Sequence, residues 1–199
     1  MDLWLISYAV LWFLVIAEAI ALMVLARAVG AIVLGTRDAI ERDGLALGKA
    51  APEFEAIAAT GTKVGLGDLS GTYAALIFAS PSCRICRSLL PGLPPLARRL
   101  EGKARIIVML RGAPTDAELM AEEAAAPVEV WSIGARGIAE QFHARVSPYL
   151  QVIDPMGVVR AKGLVNGVEH VEHLLFEAGL RDQAIAQHSA KPLLATTRG

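Results

Sequence analysis

The stretch Tyr73-Ala74-Ala75-Leu76-Ile77-Phe78-Ala79 is an unbroken apolar run, and Ser80-Pro81-Ser82 joins it to Cys83-Arg84-Ile85-Cys86. A run of that length without alternation is expected of a central strand covered on both faces. From Ser82 to about Leu100 the pattern turns helical, with a kink expected at Pro91. A Cys-x-x-Cys pair where a buried strand gives way to a helix reads as a redox motif, whereas the same spacing elsewhere reads as chance. At the helix N-terminus Cys83 faces unpaired backbone N–H groups and the positive end of the helix dipole, both of which favour a thiolate. Arg84 and Arg87 add positive charge nearby. Cys86, one turn further on, is placed to resolve a mixed disulfide.

Working outward, strand and helix signals alternate. Ala51-Pro52-Glu53-Phe54, Gly61 and Gly65 to Leu69 suggest short strands and a turn. Ala104 to Leu110 reads as a second buried strand, and Thr115 to Ala125 as a helix opened by a Thr-x-x-Glu capping box. Val128 to Trp131 is a short strand and Ile138 to Phe142 a short helix. Tyr149 to Ile153 and Val158 to Lys162 flank Asp154-Pro155-Met156-Gly157, a turn sequence that predicts a hairpin. Val168 to Ala178 closes the domain as an amphipathic helix stopped by Gly179. The order predicts an α/β sandwich.

The N-terminus is a different material. Between Leu3 and Leu25 only Ser7 and Glu18 are polar, and this segment accounts for the high apolar fraction of 54%. As a helix it would span about 34 Å, enough for a hydrocarbon core of about 30 Å. The Met-Asp start and the length of the run favour an uncleaved anchor over a signal peptide. The expected organisation is a transmembrane anchor over residues 1–30, a linker over 31–48, a domain over 49–180 and a flexible tail over 181–199. Glu18 reads as a carboxyl that snorkels or is protonated, with a partner in the membrane as the functional alternative.

Composition excludes other classes. A net charge of −1 argues against nucleic-acid binding, which needs clustered positive charge. The core-forming content excludes a disordered chain, and a single long apolar run excludes a polytopic transporter. Two cysteines are too few for a disulfide-stapled scaffold. Metal binding is the competing reading of the pair, with His170 and His173 as further ligands, but zinc wants four ligands and no second Cys-x-x-Cys exists. Redox chemistry is favoured, with no metal and no cofactor.

These features together resemble the thioredoxin superfamily: Cys-x-x-Cys after a buried strand, Pro91 eight residues beyond Cys83, and Ser147-Pro148 before a strand. The resemblance implies a redoxin three-layer sandwich in which Pro148 is cis and packs beside the cysteines. It implies that Ser147 contacts substrate beside Pro148; these join the expected catalytic pair Cys83 and Cys86, with Arg84 as a further expected substrate contact. Ala51 to Phe54 and Asp68-Leu69-Ser70-Gly71 are similar to the membrane-anchored TlpA-like branch. Leu25 to Gly30, Ser80 to Cys83 and Arg160-Ala161-Lys162-Gly163-Leu164-Val165-Asn166, followed by Glu169-His170, resemble the MauD family of methylamine dehydrogenase accessory proteins. That family is implicated in forming disulfides in the small subunit of a periplasmic amine dehydrogenase. There are departures. Ala79 and Ser82 stand where thioredoxins carry tryptophans, and Ile77 replaces their buried acid. The Pro-x-x-x-Thr-x-x-Cys frame of peroxiredoxins is missing, which disfavours peroxidase activity.

The implied function is a membrane-anchored thiol–disulfide oxidoreductase. Its expected partners are cysteine-bearing clients, among them an amine dehydrogenase small subunit, and a redox partner in the membrane. Alternatives are a TlpA-like reductase serving cytochrome c assembly, or a copper chaperone using Cys83, Cys86 and His143. Location is contested within the sequence itself. Arg27, Arg37 and Arg42 all follow the apolar run, which by the positive-inside rule places the domain in the cytoplasm. Dithiol oxidation and the family resemblance place it in the periplasm, and that is the expectation adopted.

Overall fold

The computed structural model describes residues 4, 7–8, 10–23, 43–134 and 137–180. The chain divides into two compact units, Met1–Arg42 and Asp43–Gly199. In the first, residues 10–23 are helical, and Leu11, Trp12, Phe13, Leu14 and Ile16 are all more than half exposed. Among the described residues no helix is long and apolar enough to cross a membrane. The expected span Leu3–Leu25 falls partly outside them. Arg27, Arg37, Arg42, most of the expected linker and the tail over 181–199 lie wholly outside.

The second unit is built on a mixed sheet of strands β1 (Glu55–Ala58), β2 (Lys63–Gly65), β3 (Tyr73–Ala79), β4 (Ala104–Leu110), β5 (Glu129–Ser132), β6 (Tyr149–Ile153) and β7 (Val159–Leu164). They lie in the order β2-β1-β5-β4-β3-β6-β7. β3, β4 and β5 are parallel, and β6 returns antiparallel along the other side of β3. Helix α1 (Arg84–Leu89) and helix α2 (Leu93–Arg99) connect β3 to β4. Helix α3 (Pro114–Ala124) connects β4 to β5, α4 (Ile138–Gln141) precedes β6, and α5 (Val168–Glu177) ends the unit.

The unbroken apolar run of β3 follows from its place between two cores. Ala75, Ile77 and Ala79 face one core, closed by Leu89, Leu93, Leu96, Met120 and Leu175 from the helices. Ala74, Leu76 and Phe78 face the other, filled by Trp131, Phe142 and Tyr149. Every residue from Ala74 to Ala79 is buried. The region from Cys83 to Leu100 is helical, broken not by a simple kink but by a short 3-10 turn, Leu90–Gly92, with Pro91 inside it. Proline lacks the N–H that an α-helix would need there.

Three local expectations are corrected. The cap of α3 is not Thr115: the helix begins at Pro114, and Asp116 Oδ2 accepts the N–H of Ala113 at 2.9 Å. Proline at the first position needs no amide partner, so the cap is Ala113, two residues earlier than the hydroxyl suggested. Ala51–Phe54 form no strand of their own. Instead the segment beside them lies along the β6–β7 hairpin, with Ala51 N–H donating to Gly157 O at 2.8 Å and Ala50 bridging Val158. The packed unit also takes in Asp43 to Gly48, which the composition had placed in the linker. Tyr149 Oη donates to the Asp43 carbonyl at 2.6 Å and Lys162 Nζ donates to it at 2.7 Å.

Candidate active site

The site lies at the carboxyl ends of β3 and β4, where a parallel sheet leaves side chains and loops beyond its strand ends. Cys83 is the N-cap of α1, and its Sγ accepts the N–H of Cys86 at 3.1 Å. The two cysteines form a disulfide, with Cα atoms 5.3 Å apart. Their exposures differ: Cys83 is partly exposed, while Cys86 is 2% exposed and belongs to the helical core. Of the two sulfurs, Cys83 is the one an incoming thiolate can reach. Arg84 and Arg87 are exposed on α1.

The second half of the site comes from the far side of β3. Tyr149 pairs with Phe78, so the residues just before β6 lie beside the end of β3 from which the cysteine loop leaves. The Ser147–Pro148 peptide there is cis, as the superfamily resemblance implied. Pro148 is buried and Ser147 half-buried. Two strand partnerships therefore bring together residues more than sixty positions apart.

Sequence reasoning missed several residues that organise this place. Arg111, directly after β4, donates from a terminal guanidinium nitrogen to Ser147 Oγ at 2.6 Å. Val165 donates its backbone N–H to the Pro148 carbonyl at 3.3 Å, and Lys162 also donates to the Gly44 carbonyl at 3.3 Å. The string Arg160 to Asn166 thus holds both the cis-proline loop and the segment that enters the domain. A signal for Arg111 was present: a charged residue directly after a buried parallel strand stands at the edge where such sheets bind ligands.

His170 and His173 do not converge on the cysteines as ligands. His170 Nδ1 accepts the N–H of Asn166 at 3.3 Å, and His173 pairs with Glu177 at 3.3 Å. Among the described residues no group of three or more His, Cys, Asp or Glu side chains could hold a metal ion. Ile77 is buried between Val108 and Leu150, so the position of the superfamily's buried acid is apolar here.

The family model for AhpC/TSA matches residues 47–162, which include both cysteines and the cis-proline. A methylamine utilization protein MauD from Paracoccus versutus is 30% identical over 175 residues, covering 85% of this chain and 86% of that protein. The chain belongs to the AhpC/TSA family and, within it, to the MauD proteins. The MauD of Methylorubrum extorquens is 31% identical over 177 residues, covering 85% of this chain and 83% of that one. Among solved structures, the thioredoxin domain of a thiol-disulfide oxidoreductase from Bacteroides vulgatus superposes with a TM-score of 0.53 at 24% identity. The match covers 60% of this chain and 89% of that one, and it establishes the thioredoxin-like fold. Membership of AhpC/TSA does not bring a peroxidatic frame. Ser80 and Leu76 stand three and seven residues before Cys83, where peroxiredoxins carry threonine and proline.

Proposed function

We propose that the chain is a thiol–disulfide oxidoreductase, anchored to a membrane by its N-terminal segment. It forms or isomerises disulfides in the small subunit of a periplasmic methylamine dehydrogenase. The observation that carries the chemistry is the Cys83–Cys86 disulfide at the N-cap of α1, with one sulfur accessible and the other buried. The kinship with proteins named for methylamine utilization supports the biological setting.

In the oxidising direction a client thiolate attacks Cys83 Sγ. The Cys83–Cys86 bond breaks, and Cys86 leaves as the thiolate. A second client thiolate attacks the client sulfur of the mixed disulfide and expels Cys83. Two electrons pass from the client dithiol to the Cys83–Cys86 disulfide, which becomes a dithiol, and the protons lost by the client thiols balance those gained by Cys83 and Cys86. Isomerisation runs from the reduced protein. Cys83 attacks a client disulfide and forms a mixed disulfide. The freed client thiolate attacks a second client disulfide, and the thiolate released there attacks the client sulfur of the mixed disulfide and expels Cys83, with no net electron transfer. Ser147 and Pro148 contact the client backbone, and Arg84 contacts it beside the cysteines.

The anchor reading rests on the apolar run Leu3–Leu25 and on the exposed apolar side chains of residues 10–23. The periplasmic side follows from the chemistry, since cytosolic thiols are kept reduced. A reporter fused after Gly199 tests the orientation: activity confined to a periplasmic reporter supports it, and activity of a cytoplasmic one overturns it. The chemistry is tested by trapping. Cys86→Ser is expected to accumulate mixed disulfides with clients, and Cys83→Ser none. A Cys86→Ser chain without adducts, alongside a fully active Cys83→Ser chain, overturns the mechanism.

A further inference from the structure

Arg111 lies across the base of this site with its charge unanswered. Its backbone N–H donates to the Ala79 carbonyl at 3.0 Å, just beyond the Leu110–Ala79 pair that closes the β3–β4 ladder. Ser147 belongs to the opposite neighbour of β3. The bond from the Arg111 guanidinium to Ser147 Oγ therefore spans the end of β3 where the cysteine loop begins. The side chain is half-buried, and its Nε is buried without any hydrogen-bond partner. Among the described residues no carboxylate is paired with it. The acid close to it in the chain is otherwise engaged: Asp116 caps Ala113.

A half-buried guanidinium without a counter-charge is costly, and its planar fork matches a carboxylate. We propose that Arg111 receives a carboxylate of the client chain. Resting on the thiol–disulfide reading above, this makes the preferred client a segment with Asp or Glu close to its reacting cysteine. One arm of the fork holds Ser147, and the remaining terminal N–H groups, not the buried Nε, pair with the client acid. Because Ser147 Oγ already accepts from Arg111, its own hydroxyl hydrogen is free to donate to the client. Charge on both flanks agrees: Arg84 and Arg145 are exposed, and neither has an ion pair among the described residues. Ile85, 48% exposed between the cysteines, and Val146, 38% exposed beside Ser147, offer apolar contact. The complement of this surface is acidic and apolar.

The test is single-turnover oxidation of synthetic dithiol peptides by the oxidised full chain in detergent, read as the second-order loss of peptide thiols. One peptide carries Asp and Glu beside its first cysteine, and its isostere carries Asn and Gln. The acidic peptide is expected to react about tenfold faster at low salt, since a charge-assisted pair is worth about that factor, and the ratio is expected to fall as salt rises. Arg111→Gln is expected to bring the ratio close to one. Arg98→Gln, the same charge change at the opposite end of the sheet, is expected to retain it. Equal rates for the two peptides with the wild-type chain overturn the proposal, as does an undiminished ratio in a folded Arg111→Gln. The wild-type salt series needs no variant: a ratio that does not fall with salt also overturns it. Failure to oxidise either peptide is a different result, and counts against the thiol–disulfide reading itself.

Discussion

The backbone N–H of Cys86 donates to Cys83 Sγ at 3.1 Å, so the first cysteine caps the helix that buries the second. One sulfur is thereby held at the surface by the same local geometry that takes the other inside. After reduction, alkylation with iodoacetamide is expected to modify Cys83 at least about tenfold faster than Cys86, because reactivity follows access as well as thiolate content. Peptide mass mapping of partly alkylated protein checks this. Equal modification of the two cysteines contradicts the division of roles.

Gly44 has φ +74°, and a Cβ there would lie 2.7 Å from both Tyr149 Cε1 and Tyr149 Oη. Gly44→Ala is expected to destabilise the domain by about 1–3 kcal/mol, since it combines a left-handed backbone with overpacking. Chemical denaturation measures this directly. A change within experimental scatter would show that the entry segment from Asp43 contributes little to the packed unit.

Asp154 closes the β6–β7 hairpin. Its Oδ1 accepts the N–H groups of Met156 and Val158, each at 2.9 Å, and its Oδ2 accepts from Arg160 Nε at 2.7 Å. Burial pushes its pKa up, but these bonds outweigh burial and hold the carboxyl below its ordinary 3.8. A depressed carboxyl stabilises the fold fully above its unfolded pKa, and that contribution is lost as pH falls through the folded value. Stability is therefore expected to drop below about pH 4, and Asp154→Asn to flatten that part of the profile. Thermal melts across the acid range compare the two chains; parallel curves would remove Asp154 as the cause.

Burial, and after it the nearby Asp43, raise the Tyr149 phenol well above its ordinary value of 10.0. Tyr149 thus remains a donor to the Asp43 carbonyl in alkaline solution. The unfolded chain ionises this phenol near pH 10 while the folded chain does not, so the linked stability falls as pH rises past that point. Absorbance titration of the native protein is expected to show one tyrosine that ionises only on unfolding, and Tyr149→Phe to remove that late step. Loss of the hydrogen bond in Tyr149→Phe is expected to cost about 1 kcal/mol.

Much of this protein is legible along the chain because its determinants are local. The buried run Tyr73–Ala79, the cysteines directly after it, the turn at Asp154–Gly157 and the stop at Gly179 each depend on a few neighbouring residues. The sandwich and the redox pair follow from them. The cap at Ala113 is hidden along the chain because Thr115 offers a familiar hydroxyl, while the actual device is Pro114 with Asp116 reaching back. The partnership of Arg111 with Ser147 could not be read from spacing. It exists because β4 and β6 both pair with β3, which sets side by side two loops that the chain keeps 36 residues apart. Asp43 and Gly44 read as linker along the chain because polar and glycine residues look alike in a linker and at a packed edge. Only the arrival of Tyr149 and Lys162 at the Asp43 carbonyl separates the two cases. Sequence alone determined where the Cys-x-x-Cys pair lies, since strand, helix and cysteine spacing act over one turn. Tertiary structure decided what stands beside that pair, because sheet pairing is non-local and brings a cis-proline, a serine and an arginine without an ion pair to the end of β3 from which the cysteine loop leaves.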